Sequence, residues 1–169
     1  EITCRDWSSD VCSSDLTADG VKVWRVHEEK RHLQHLLFCP TDPTTLLFCH
    51  EGPWDRVEQR MWLIKWDGTG LRPLRYEEHP EIRIGHEYWL PDGRTVAYAF
   101  RGPNAPWSVR MVEVATGDER LLTEHPYSHF IGDAQGRFIV GDDPQHVTLL
   151  DMASGRLTPL AVPGQALSV

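Results

Sequence analysis

From about Val21 onward the apolar residues of the chain fall into short runs: "TLLFCH", "RMWLIKW", "TVAYAF", "SVRMVEV", "RFIVGD" and "HVTLLDM". Between them lie "PTDPTT", "WDGTG", "PDGR", "ATGDE", "DAQG" and "MASGR". These clusters are rich in Pro, Asp and Gly, the residues whose fixed φ, side-chain acceptors or tolerance of positive φ turn a chain back on itself. The runs alternate or are apolar throughout, as half-buried and fully buried strands do, and no stretch of ten or more residues carries a helical period. The pattern predicts an all-β protein.

The strands also recur in groups. "HLLFCPTDP" begins at His35, "GHEYWLPDG" contains His86 and "SHFIGDAQG" contains His129, 51 and 43 residues apart. Each opens the same series of strand, turn, strand, loop and strand, closed by a short run: "LRPL", "RLLT" or "RLTPL". Four strands per unit at a period of about 40 to 50 residues is the signature of a β-propeller, whereas a β-sandwich has short strands without such a repeat. About three units are present. In a propeller the first strand of every blade lies innermost, so His35, His86 and His129 are expected to start three innermost strands and point toward a common axis. A lone histidine more often caps a strand; repetition at one position argues for a shared cleft.

Composition narrows the partners. The chain has 169 residues, 40% of them hydrophobic, and a formal charge of −8, which argues against a nucleic-acid backbone or an anionic membrane as the main partner. No apolar run approaches the roughly 20 residues that cross a bilayer, and no signal-peptide pattern is visible. The expected location is cytoplasmic. "DWSSDVCSSDL", Asp6 to Leu16, repeats Ser-Ser-Asp without any period and resembles one reading frame of a sequencing-adapter oligonucleotide. Residues 1–16 are therefore set aside as a disordered artefact, and residues 17–169 are read as a partial propeller domain, a fragment. Of the cysteines this leaves Cys39 and Cys49, on two arms of one hairpin where they can face each other. Two thiols without a CxxC spacing make neither a disulfide framework nor a zinc site, so buried, reduced thiols are expected.

Candidate chemistry lies between the first and second repeats, in "CHEGPWDRVEQRMWLIKWDGTG", Cys49 to Gly70. Gly52-Pro53 is a rigid turn that holds His50 and Glu51 near the rim. An arginine at a strand start, such as Arg60, is ordinarily a solvated charge. Yet "HEGP" followed by "RMW" and then by "HEYW" resembles the oligogalacturonate lyases, and the likeness covers nearly all of Val21 to Asp151. It implies a seven-bladed propeller that cleaves short galacturonides by β-elimination. It also implies a manganese ion held by three histidines and a glutamine, with the base in the "HEYW" motif and an arginine helper in "RMW". Carried onto this chain, His86 is the base, Arg60 its helper and His129 a metal ligand. His35, His50 and Glu51 are candidates to line an oligogalacturonide site. Neutral imidazole suits proton abstraction near pH 7.

The Gln-x-x-His-x-His motif that supplies the family's other metal ligands is not found, since "QHVTLL", Gln145 to Leu150, lacks the second histidine. The chain on its own is therefore expected to be inactive. Trp54, Tyr88 and Trp89 are candidates for stacking on sugars, although strand aromatics more often fill a core. His125 and His146 read as surface residues. The competing reading is a non-catalytic propeller of the TolB-like type, which the repeats fit equally well but which has no need of the Arg60 and His86 motifs. A hydrolase is disfavoured by the lack of a G-x-S-x-G elbow or paired carboxylates.

Overall fold

The computed structural model of the chain describes residues 11–16, 23–76 and 81–161. Every regular element among them is a β-strand. The chain divides into two compact units, Glu1–Pro80 and Glu81–Val169.

The first unit holds a two-stranded sheet, β1 (Val11–Leu16) with β2 (Val23–Glu29), and a four-stranded antiparallel sheet in the order β3 (His32–Phe38), β4 (Thr45–Glu51), β5 (Met61–Lys65) and β6 (Arg72–Pro73). The second unit holds two more sheets of the same kind. One runs β7 (Arg83–Trp89), β8 (Thr95–Arg101), β9 (Ser108–Glu113), β10 (Glu119–Thr123), and the other β11 (His129–Gly132), β12 (Phe138–Asp142), β13 (Val147–Asp151), β14 (Leu157–Ala161). In each four-stranded sheet chain order equals spatial order, so the first strand of each repeat lies at a sheet edge, as the repeat predicts.

The turns form for the reason their composition suggests. Asp42, Asp92 and Asp133 occupy the first turn of the three repeats, and each carboxylate accepts hydrogen bonds from the residues that begin the second strand. Asp42 Oδ1 takes the N–H of Thr44 at 3.0 Å. Asp92 Oδ1 takes those of Arg94 and Thr95 at 2.8 and 2.9 Å. Asp133 Oδ1 takes those of Arg137 and Phe138 at 2.6 and 2.9 Å. Each carboxylate thus satisfies backbone donors that the reversal would leave without a ladder partner. Hydrogen bonds from Thr44, Thr45 and Lys65 hold the Asp42 carboxyl well below the usual range.

Burial explains why β4 and β8 read as unbroken apolar runs. Residues 46–50 and 96–100 are buried without alternation, the pattern of central strands covered on both faces. The first unit packs Leu33, Leu46, Phe48 and Ile64 together, with Val26, Leu36 and Trp62 at the margin. In the second unit Ala97, Ala99, Val109 and Met111 of one sheet share a core with Tyr127, Phe130, Ile139 and Leu150 of the next. Small alanines and large rings together fill this shared core.

Three expectations are corrected. Val11–Leu16 is not disordered: it pairs antiparallel with β2, Leu16 opposite Val23 and Val11 opposite Glu29. A ladder is made by main-chain groups, so a segment without strand periodicity can still occupy it; residues 1–10 lie outside the described residues. Cys39 and Cys49 are both buried, but they do not face each other, because the register sets Cys49 opposite Gln34 while Cys39 donates its N–H to Thr45. The three repeat histidines are also not equivalent. His129 is the first residue of β11, whereas His35 and His86 sit in the middle of β3 and β7 with φ of 52° and 55°, where the register slips between Gln34 and Leu37 and between Gly85 and Tyr88. An inserted residue in a left-handed conformation is a β-bulge, which re-aims the side chain it carries.

Candidate functional site

In the first unit the two halves of the "HEGP…RMW" stretch are joined by the ladder itself. The N–H of His50 donates to the carbonyl of Arg60 at 2.9 Å, continuing the pairing of Cys49 with Met61 one rung beyond β5. The intervening loop turns at Pro53, whose carbonyl accepts the N–H of Arg56 at 2.8 Å. Arg60 is only 4% exposed. Its Nη2 donates to Glu51 Oε2 at 3.0 Å, and its guanidinium carbon lies 5.4 Å from the centroid of the Trp54 ring. A buried guanidinium requires such compensation, since loss of water around it costs several kcal/mol. Burial pushes the Glu51 carboxyl up, but the hydrogen bond and charge of Arg60 outweigh it and the net shift is downward.

His50 is equally buried. Its Nε2 donates to Glu29 Oε1 at 2.6 Å, and the ring lies 5.1 Å from that of Trp62 and 5.9 Å from that of Phe48. Burial holds its pKa below the ordinary 6.5, although the Glu29 hydrogen bond and charge work against that. Glu29 was not singled out in the sequence: it stands 21 residues from His50 in a strand with no recognisable motif. His35, in its bulge, belongs to the same unit.

The second unit brings together two candidates. The rings of His86 and His129 meet with centroids 4.7 Å apart at 65°. Asp142 Oδ1 accepts both the backbone N–H of His129 at 2.9 Å and its Nδ1 at 3.2 Å, because β11 and β12 pair these two residues directly. With Nδ1 protonated toward the Asp142 carboxylate, Nε2 carries the lone pair, the tautomer and carboxylate-held orientation usual for metal-ligating histidines. The His129 side chain is 74% exposed. Among the described residues His129 belongs to no group of three potential ligands. It thus fits a metal as one ligand, and the described residues do not complete a site around it.

The aromatic candidates separate by burial. Trp89 is 8% exposed and Trp54 39%, and Tyr88 packs edge-on against Phe130 at 5.7 Å, so Tyr88 packs against the core of the second unit while Trp89, the next residue of the strand, is buried on the opposite face. Burial, with the Asp133 charge, pushes the Tyr88 phenol up, so it stays protonated. His125 is not an ordinary surface residue: its side chain is 18% exposed, with Nε2 2.9 Å from Asp143 Oδ2 and its ring 4.5 Å from that of Tyr127. Proximity of Tyr127 and Asp143, which the repeat pattern does not mark, draws it inward.

Comparison with known proteins gives this arrangement its place. The fold is that of a partial β-propeller: a solved oligogalacturonate lyase in complex with manganese superimposes with a TM-score of 0.84 at 28% identity, over 95% of this chain and 44% of that one. The model of the oligogalacturonate lyase family matches residues 10–156, and the chain belongs to that family. The oligogalacturonate lyase of Dickeya dadantii is 37% identical over 117 residues, 68% of this chain. The chain spans 30% of that relative's length. TolB from Acinetobacter baumannii is similar with a TM-score of 0.69 at 11% identity, over 90% of this chain and 38% of that one, a likeness of fold alone.

Proposed function

We propose that the chain supplies the proton-abstracting part of an oligogalacturonate lyase, which cleaves short galacturonides by β-elimination. The observation that carries the reading is the contact of His86 with His129, a candidate base beside a histidine oriented as a metal ligand. In the reaction the C5–H bond of the uronate breaks and its proton passes to His86. The electron pair forms the C4–C5 double bond, and the C4–O bond breaks with its pair going to the departing oxygen, which is then protonated. Manganese, held by His129 with donors beyond the described residues, would act as a Lewis acid on the uronate carboxylate. His86 is a histidine in a strand bulge, and such bulges recur where a side chain is aimed at a site. Arg60, permanently charged, offsets negative charge on the substrate.

The test is release of unsaturated product from digalacturonate, followed by ultraviolet absorbance with added manganese, by a full-length enzyme carrying this chain. Manganese-dependent product formation is expected. Hydrolysis without an unsaturated product, or no turnover in an enzyme that is folded and metal-loaded, would overturn the reading.

A further inference from the structure

The Glu51 carboxylate and the Trp54 ring both contact the Arg60 guanidinium in the first unit. A guanidinium recognises a carboxylate through a planar fork of parallel N–H donors, so the orientation of its plane decides whether it binds. The Arg60 plane is constrained from three directions. Its backbone is fixed by the hydrogen bond from His50, its Nη2 by Glu51 at 3.0 Å, and Trp54 lies against its guanidinium carbon. Glu51 is constrained in turn: its other oxygen, Oε1, accepts the N–H of Gly52 at 3.3 Å.

We propose that Glu51 is the positioning residue for Arg60: it neutralises the buried guanidinium and sets the plane in which the fork meets a uronate carboxylate. This rests on the lyase reading above and assigns Glu51 no contact with substrate. It also explains why "HEGP" and "RMW" occur together. The loop 52–59 brings the strand carrying Glu51 and the residue opening the next strand to one end of a single ladder, and the Pro53 turn places Trp54 there as well. Glutamine in place of Glu51 keeps the size and one acceptor oxygen but removes the charge. Aspartate keeps the charge on a shorter stem.

The experiment titrates digalacturonate by calorimetry into a full-length, manganese-loaded enzyme carrying this chain, for the wild type, Glu51→Gln, Glu51→Asp, Arg60→Lys and the double variant Glu51→Gln/Arg60→Lys. The folded fraction is measured by circular dichroism in the same samples. Glu51→Gln is expected to weaken binding by about tenfold, in line with couplings between contacting charged residues, and Glu51→Asp to recover part of that loss. In the Arg60→Lys background Glu51→Gln is expected to add no further loss, because the fork it orients is gone. A merely structural ion pair would change the folded fraction and leave the affinity of folded molecules unchanged. Wild-type affinity in folded Glu51→Gln, or fully additive losses in the double variant, would overturn the positioning role and leave the lyase reading intact. If Glu51→Gln does not fold, Glu51→Asp carries the test, and wild-type affinity there overturns the role. A folded, manganese-loaded wild-type enzyme that does not bind digalacturonate overturns the substrate reading and this role with it.

Discussion

His86 and His129 lie 43 residues apart in the chain yet meet ring to ring at 4.7 Å, and they reach that contact by different routes. His129 is held by the ladder and by Asp142, whereas His86 is turned by a left-handed residue inside a bulge. The two imidazoles are therefore suited to different duties. One is fixed through Nδ1 by Asp142, and the other is presented by the bulged backbone.

The proposed roles, His86 as base and His129 as ligand, predict separable defects. In a full-length enzyme carrying this chain, His86→Ala is expected to lower unsaturated-product release by at least about a hundredfold, the scale of a lost general base, with manganese affinity nearly unchanged. His129→Ala is expected to lose manganese affinity, measured by metal content after dialysis, because each ligand of a catalytic site matters. Near-normal turnover by His86→Ala would remove it as base, and normal metal content in His129→Ala would remove it as ligand.

Stability is expected to fall with pH in a way that reports on His50. Burial holds its pKa below the ordinary 6.5, so between those two values the unfolded chain binds the proton that the folded chain refuses. Folding is then favoured above about pH 6.5, and the His50 contribution is lost as pH falls through the folded value. Urea midpoints measured from pH 7.5 to 5 should decline, and His50→Gln should decline less over that window. A second loss is expected below the ordinary carboxylate range, where Glu51, whose pKa is lowered by Arg60, takes up a proton. Equal pH slopes for wild type and His50→Gln would show that the His50 imidazole is not protected from protonation by the fold.

Gly141 ties the core to the site. It lies in β12 opposite Phe130, and a Cβ there would meet the carbonyl oxygen of His129 at 2.7 Å and run into the Tyr127 ring. Gly141→Ala must therefore push back both Tyr127 and the His129 backbone. A loss of about 1 to 3 kcal/mol in unfolding free energy is expected for such overpacking. The His86 and His129 ring resonances should shift in the same sample. A neutral substitution would mean that Tyr127 does not cover Gly141 as described.

Much of this was legible in the chain because it is encoded locally. The Asp42, Asp92 and Asp133 turns are written in side chains that bond to backbone two to five residues away, and unbroken runs such as "TVAYAF" report strands covered on both faces. What escaped depends on register. Counting back from the turns makes His86 and His129 equivalent, but a bulge adds a residue to β7 that β11 lacks, and nothing in "GHEYW" marks its left-handed histidine. Glu29, which holds His50, and Asp142, which holds His129, are ordinary acidic residues until strand pairing places them. The ion pair of Glu51 with Arg60 was within reach of the sequence, since the two residues flank one short loop between paired strands.

The bulges offer a test of which histidines share a backbone position. A residue with a Cβ at φ near +55° costs about 1 to 2 kcal/mol that glycine does not, and glycine loses about 0.5 to 1 kcal/mol relative to alanine through the flexibility of the unfolded chain. At His35 and His86, with φ of 52° and 55°, the first effect wins, so His35→Gly and His86→Gly should be more stable than His35→Ala and His86→Ala by up to about 1 kcal/mol. His129 is not among the described residues of positive φ, so there only the second effect acts and His129→Ala should be more stable than His129→Gly. Unfolding free energies from urea titration of the six variants decide the matter. The glycine preference should change sign between His86 and His129; the same sign at all three positions would show that they share one backbone conformation and that the bulge assignment is wrong.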